Sequence, residues 1–192
     1  MCGISGFLDL QNGIDLHILQ NMTDVIRHRG PDDEGYCLFS GSGCRFYGGN
    51  DTLSELSLPP LSQGNGAEAF LGFGHRRLSI LDLSRNGHQP MRLPEYDLTI
   101  TYNGEIYNYL ELRQELTSLG CTFHTSCDTE VLLHAYHVWG EDCLMHFNGM
   151  WGFALWDGEK NRLFCARDRL GAKPFYYWHE GNRMLFGSEL KQ

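Results

Sequence analysis

The chain has 192 residues, with 15 lysines and arginines against 24 aspartates and glutamates, for a net charge of −9. That length suits one domain with a substantial buried core, and an acidic balance without a basic stripe argues against nucleic acid or an anionic membrane as partner. Residues 1–10 have no basic leader pattern and no apolar run is long enough to span a bilayer, so a soluble, cytoplasmic protein is expected.

In chain order, Gly3–Asp9 reads as a first strand whose glycines would let other backbone approach closely. From Asp15 to His28, Leu16, Leu19, Met22, Val25 and Ile26 recur at three- and four-residue steps, predicting an amphipathic helix that ends near Gly30-Pro31. The stretch 48–69, rich in Gly, Ser, Pro and acid, reads as a mobile surface loop. Leu98–Tyr102 is a strand. A second helix is expected over about 107–119, with Leu110, Leu112, Leu116 and Leu119 apolar and Gly120 as its cap. A third begins at or near Asp128, an N-cap residue type, and runs to Gly140.

Four strands close the chain, at Met150–Trp156, Leu163–Arg167, Pro174–Trp178 and Met184–Gly187, with hairpin turn chemistry at 157–161 and 179–182. Strands interleaved with helices and ending in hairpins point to α+β layers rather than to a parallel, doubly wound sheet.

Seven cysteines without a C-x-x-C pair argue against a disulfide framework. Glu130, His134 and His137 share a helix face, but no further His or Cys stands at zinc-ligand spacing, so no metal is expected. Cys2 differs from the other six. Removal of Met1 would leave its thiol beside a free α-amino group, which titrates near ~7.7–8.0 and can serve as a base at neutral pH. By itself a cysteine at position 2 is also compatible with chance.

Behind Cys2 follow five blocks: Arg27-His28-Arg29-Gly30-Pro31-Asp32, Gly74-His75-Arg76-Arg77-Leu78-Ser79-Ile80-Leu81-Asp82, Tyr102-Asn103-Gly104-Glu105-Ile106-Tyr107-Asn108, Asp128-Thr129-Glu130-Val131 and Ala166-Arg167-Asp168-Arg169-Leu170-Gly171. In this order they resemble the glutaminase domain of glutamine-hydrolysing asparagine synthetase, a class II glutamine amidotransferase of the N-terminal-nucleophile hydrolase group. The resemblance runs from Cys2 to Leu190 and implies a four-layer αββα sandwich with antiparallel sheets. It makes 1–192 a single glutaminase domain, with 48–69 as an insertion longer than the family's usual segment.

For the site, the resemblance implies Cys2 as nucleophile and Asn103 with Gly104 as the oxyanion hole, although Asn-Gly after a strand also reads as an ordinary turn. It further implies that Arg77 grips the carboxylate of glutamine, and that backbone groups of Leu78, Ile80 and Leu81 and the side chain of Glu105 line the pocket. Asp128 would pair with the substrate ammonium. An arginine in a surface ion pair and an aspartate capping a helix are the plain alternatives. The Arg27–Asp32 block reads as structural support, Arg167-Asp168 as an internal ion pair or a contact to a second domain, and residues 150–156 as core.

The implied reaction is hydrolysis of L-glutamine to L-glutamate and ammonia through a Cys2 thioester, with no cofactor. ATP and magnesium belong to the family's synthetase half, whose Ser-Gly-Gly-x-Asp-Ser loop does not occur in the sequence. The expected partners are L-glutamine and a synthetase domain or partner chain that receives ammonia; a homodimer is a further candidate. The alternatives are an amidotransferase domain serving another acceptor, such as an amino-sugar synthase, and a non-catalytic scaffold on the same fold.

Overall fold

The computed structural model describes residues 1–79 and 85–192. Strand β1 (Gly3–Asp9) starts one residue after Cys2, and its side chains alternate between two core layers. Phe7 joins Ile14, Leu19 and Tyr36 on one side, while Leu8 joins Phe39, Phe73 and Phe186 on the other. The strand's glycines make room for side chains rather than backbone: a Cβ at Gly6 would overlap the Phe186 ring, and one at Gly3 would meet Ile26.

Helix α1 (Leu16–Asp24) is capped by Asp15, whose carboxylate accepts from the His17 N–H at 2.8 Å. It ends four residues before the predicted His28, and Arg76 supplies the reason. Its Nε donates to the Thr23 carbonyl at 3.1 Å, the acceptor that the Arg27 N–H would need for another turn, and its guanidinium pairs with Asp24. A 3-10 turn over Arg27–Arg29 carries the chain onward.

Three strands that the hydrophobic pattern does not announce follow: β2 (Asp33–Ser40), β3 (Gly43–Tyr47) and β4 (Ala69–Arg77). Between β3 and β4 the segment 48–69 carries two 3-10 turns, Ser54–Leu56 and Leu61–Gln63, and buries Leu61. Asp51 from this segment reaches Arg27 and Arg76, each at 2.6 Å.

Next come β5 (Met91–Leu93), β6 (Leu98–Ile106), α2 (Tyr109–Ser118), α3 (Asp128–Trp139) and α4 (Cys143–His146). Of the four apolar residues expected to face the core from α2, only Leu112 and Leu116 are buried. Leu110 and Leu119 are 56% exposed: Leu110 lies on the face opposite Leu112 and Leu116, and Leu119 is the C-cap, past the last helical residue. Gly120 ends α2 at φ +99°, the left-handed conformation expected of such a cap.

The last strands are β7 (Gly149–Asp157), β8 (Arg162–Arg167), β9 (Tyr176–Glu180) and β10 (Arg183–Gly187). They form two hairpins, and each hairpin belongs to a different sheet. One sheet has the order β3-β2-β4-β1-β10-β9 and the other β5-β6-β7-β8, with antiparallel pairing throughout. Helix α1 covers the first sheet; α2 and α3 cover the second through Leu112, Leu116, Val131, Leu132 and Tyr136. Phe39, Leu71, Phe73, Ala154, Trp156 and Phe186 fill the space between the sheets. The result is an αββα sandwich with three apolar layers.

Arg76, with a side chain 2% exposed, is held by Asp24, Glu34 and Asp51 together. Its replacement by Met should cost about 3–5 kcal/mol, because Glu34 would remain buried without its cation. Urea denaturation at neutral pH measures this. A loss of about 1 kcal/mol or less, as for an exposed ion pair, would mean that the cluster does not anchor α1 and segment 48–69 to β2.

Candidate active site

Strand alternation sorts the two adjacent arginines of β4. Arg76 points with Gly74 toward α1, whereas Arg77 points with His75 toward the second sheet, where His75 Nδ1 meets Thr101 Oγ1 at 3.2 Å. Because Gly3 pairs with Arg76 across the ladder, Cys2 comes to lie beside Arg77 at the mouth of a cleft between the sheets.

The Cys2 sulfur is held in place by one residue. The Leu78 N–H donates to Sγ at 3.3 Å, and the thiol donates back to the Leu78 carbonyl at 3.6 Å. Arg29, in the block read as support, donates to the Cys2 carbonyl at 2.9 Å and is paired with Glu189 at 3.1 Å. Burial pushes the Cys2 thiol up from its ordinary value, opposed by the Leu78 N–H and by the charges of the N-terminal amine, Arg77 and Lys173. Met1 still lines the cleft beside it.

Across the cleft stands β6, which continues through Asn103-Gly104 to Ile106. These two residues are strand rather than turn, since the ladder with β7 pairs Asn103 with Gly152 and Gly104 with Trp151. Asn103 is 1% exposed, and among the described residues its Nδ2 has no hydrogen-bond partner. Leaving such a donor unmet commonly costs ~1–3 kcal/mol, so it marks a place built for an acceptor. Gly104 has no room for a side chain, because a Cβ there would stand 2.5 Å from the Tyr102 ring and 2.6 Å from the Met150 carbonyl.

Asp128 is the first residue inside α3 and not its cap. The capping position belongs to Cys127, whose side chain makes no capping bond, and the Asp128 carboxylate is turned into the sandwich. Its Oδ2 accepts from the Tyr102 hydroxyl at 2.8 Å and from the Ile106 N–H at 3.0 Å. Burial raises its pKa despite these donors. Glu105 and Leu78 line the same cleft; Ile80 and Leu81 lie outside the described residues.

Two lining residues carry no motif signal that singles them out. Gln89 holds both backbone groups of Tyr102, donating from Nε2 to the carbonyl at 3.2 Å and accepting at Oε1 from the N–H at 2.8 Å. In the register that pairs Met91 with Ile100, Gln89 falls opposite Tyr102, and there its side-chain amide takes over the ladder that Pro90, lacking an N–H, interrupts. The second is Lys173, which enters the cleft from the connection between β8 and β9. Arg167 and Asp168, expected as an internal ion pair or a contact to a second domain, bind the backbone of that connection. Glu130, on the helix face with His134 and His137, accepts from the His124 and Thr125 N–H groups at 2.7 Å each.

Two facing antiparallel sheets between helix layers, with a cysteine at the head of a central strand lying at the mouth of the inter-sheet cleft, define the N-terminal-nucleophile hydrolase class. Within that class the chain belongs to the glutamine amidotransferase domain family, whose model matches residues 60–192. Relatives extend the likeness to the N-terminus. The chain is 41% identical, over its whole length, to asparagine synthetase [glutamine-hydrolyzing] 3 of Bacillus subtilis and covers 27% of that protein. It is 36% identical, again over its whole length, to asparagine synthetase [glutamine-hydrolyzing] 1 of the same organism, covering 26%. The chain thus spans about a quarter of the length of these relatives. Among solved structures, glutamine phosphoribosylpyrophosphate amidotransferase from B. subtilis shares the fold, with a TM-score of 0.79 at 23% identity over 98% of this chain and 42% of that one.

The raised Asp128 pKa has a thermodynamic consequence. The unfolded carboxyl ionises near its ordinary 3.8, and the folded one only at higher pH. Stability from this group is therefore full below 3.8 and falls as pH rises toward the folded value. Replacing Asp128 by Asn, which keeps an acceptor for Tyr102 and Ile106, should raise the melting temperature at pH 7 more than at pH 4. Equal shifts at both pH values would show that burial does not penalise this carboxylate.

Proposed function

We propose that the domain, once Met1 is removed, hydrolyses L-glutamine to L-glutamate and ammonia with Cys2 as the nucleophile. The observation that carries this reading is the unmet Asn103 Nδ2, buried in the same cleft as the Cys2 sulfur. Methionine removal gives Cys2 a free α-amino group that takes the thiol proton, directly or through one water, as the sulfur attacks the side-chain carbonyl carbon.

The carbonyl oxygen then becomes an oxyanion, which Asn103 Nδ2 and the Gly104 N–H receive. Collapse of the tetrahedral species expels ammonia, with the amine returning the proton, and leaves a γ-glutamyl thioester that water hydrolyses. At the far end of the substrate, Arg77 binds the carboxylate and Asp128 the ammonium, with Leu78 and Glu105 beside them and Ile80 and Leu81 as further contacts. Asp128 suits this role because Tyr102 and Ile106 orient it through one oxygen.

The half-reaction draws on no cofactor in this reading. The ammonia feeds an ATP-dependent amidation of the asparagine synthetase type, carried out by a synthetase domain or partner chain with its own ATP and magnesium. The supporting observation is the likeness to the glutamine-hydrolysing asparagine synthetases, of which this chain spans only part.

Ammonia release by the Met1-free protein tests the proposal. Cys2→Ala should abolish it, whereas Asn103→Ala should lower kcat by ~10²–10³-fold with little change in KM, because the lost donor acts on charge that develops in the transition state. Retained turnover in Cys2→Ala would remove the nucleophile assignment. A defect of Asn103→Ala confined to KM would make that residue a ground-state contact.

A further inference from the structure

The connection from β8 to β9 crosses from one sheet to the other, and its backbone is tied down at nearly every residue. Asp168, 6% exposed, accepts at Oδ1 from the N–H groups of Leu170 at 3.2 Å and Ala172 at 2.9 Å. Its Oδ2 accepts from Lys173 at 2.9 Å and Trp151 at 3.3 Å. Arg167 binds the other side of the same loop, donating to the carbonyls of Lys173 at 2.8 Å and Gly171 at 2.6 Å. Lys173 is therefore gripped at its own N–H by Asp168 of the connection and at its own C=O by Arg167, the last residue of β8.

The position so fixed lies beside the oxyanion candidate. Asn103 pairs with Gly152, and a Cβ on Gly152 would stand 3.1 Å from the Pro174 carbonyl and 3.8 Å from the Lys173 Cβ. A side chain there would press on the Pro174 carbonyl, so the glycine eases the close passage of the connection. Phe175 then stacks on Phe186 at 5.4 Å between the sheets, locking the far end.

Lys173 itself is 7% exposed and lines the cleft together with Cys2, Arg77, Asn103 and Asp128. Among the described residues it forms no ion pair, in contrast to buried Arg76 with its three carboxylates. A buried ammonium left without a carboxylate is costly unless something anionic meets it there.

We propose that Lys173 supplies a fixed cation to the Cys2 sulfur and so favours its thiolate over its thiol. The inference rests on the reading of Cys2 as the nucleophile. It gives the Arg167–Gly171 block a purpose beyond structure: the loop delivers a charge to a site whose other cation, Arg77, is engaged with the substrate. The same field lowers the energy of the sulfur anion when the thioester breaks. The direction agrees with the effect of the Lys173 charge on the Cys2 thiol, which burial otherwise pushes up. The remaining groups that face the sulfur are the terminal amine, Arg77 from β4, Tyr102 and Glu105 from β6, and Asp128 from α3.

The pH dependence of Cys2 alkylation by iodoacetamide, followed by mass at the N-terminal peptide of the Met1-free protein, tests this without using glutamine. Lys173→Met should move the midpoint upward by about one unit and slow labelling roughly tenfold below it, while Lys173→Arg should restore much of the shift. The KM for glutamine should change less than about twofold, since the charge acts on the nucleophile and not on substrate binding. Lys173→Gln, measured beside a thermal melt, serves if the Met variant does not fold. An unmoved alkylation profile in the folded variants overturns the inference. So does a raised KM with an unmoved profile, which would assign Lys173 to the substrate carboxylate. Turnover retained by Cys2→Ala would instead fault the nucleophile reading, so the two failures are separable.

Discussion

The whole molecule depends on how β1 is held from the far end of the chain. Ile4 donates to the Ser188 hydroxyl at 3.0 Å, and its carbonyl accepts from the Ser188 N–H at 3.1 Å and the Gln192 side chain at 3.1 Å. Next to it, Arg29 ties the Cys2 carbonyl to Glu189. An N-terminus is ordinarily among the loosest parts of a protein. Here the strand that begins one residue after Cys2 is set by a ladder with β4 on one side and β10 on the other, which is the rigidity that the proposed nucleophile requires.

Much of this arrangement is legible in the sequence where one side of an element faces solvent or a single core layer. The periodicity of α1 and α3, the terminal hairpins and the bounds of β1 follow from local pattern. Strands β2 and β4 do not, because both of their faces are covered and the buried residues include Asp33, Glu34, His75, Arg76 and Arg77. A run with that much charge reads as exposed until its partners are known. The early end of α1 has the same origin, since Arg76 lies about fifty residues away in sequence and takes the carbonyl the helix would have used.

The site divides along similar lines. Arg77, Leu78, Asn103, Gly104, Glu105 and Asp128 stand in blocks that the family resemblance marks, and the fold brings them to one cleft with Cys2. Gln89 and Lys173 are harder to see. The first works by imitating a peptide group opposite Tyr102, and the second is placed by backbone bonds to Arg167 and Asp168, so neither has a local signature. The dipeptide Asn103-Gly104 shows the converse hazard. Its turn chemistry is real, yet a nine-residue ladder with β7 overrides it.

The placement of β1 in the middle of its sheet also bears on the order of events during synthesis. Strand β1 leaves the ribosome well before residues 183–187, with which it pairs. Such long-range closure is slow compared with local hairpins, and until it occurs the sheet that anchors Cys2 lacks one of its neighbours. The thiol therefore gains its setting only after residues 183–187 have been made. Until then a nascent chain carries the Cys2 thiol without the strand pairing that fixes its position.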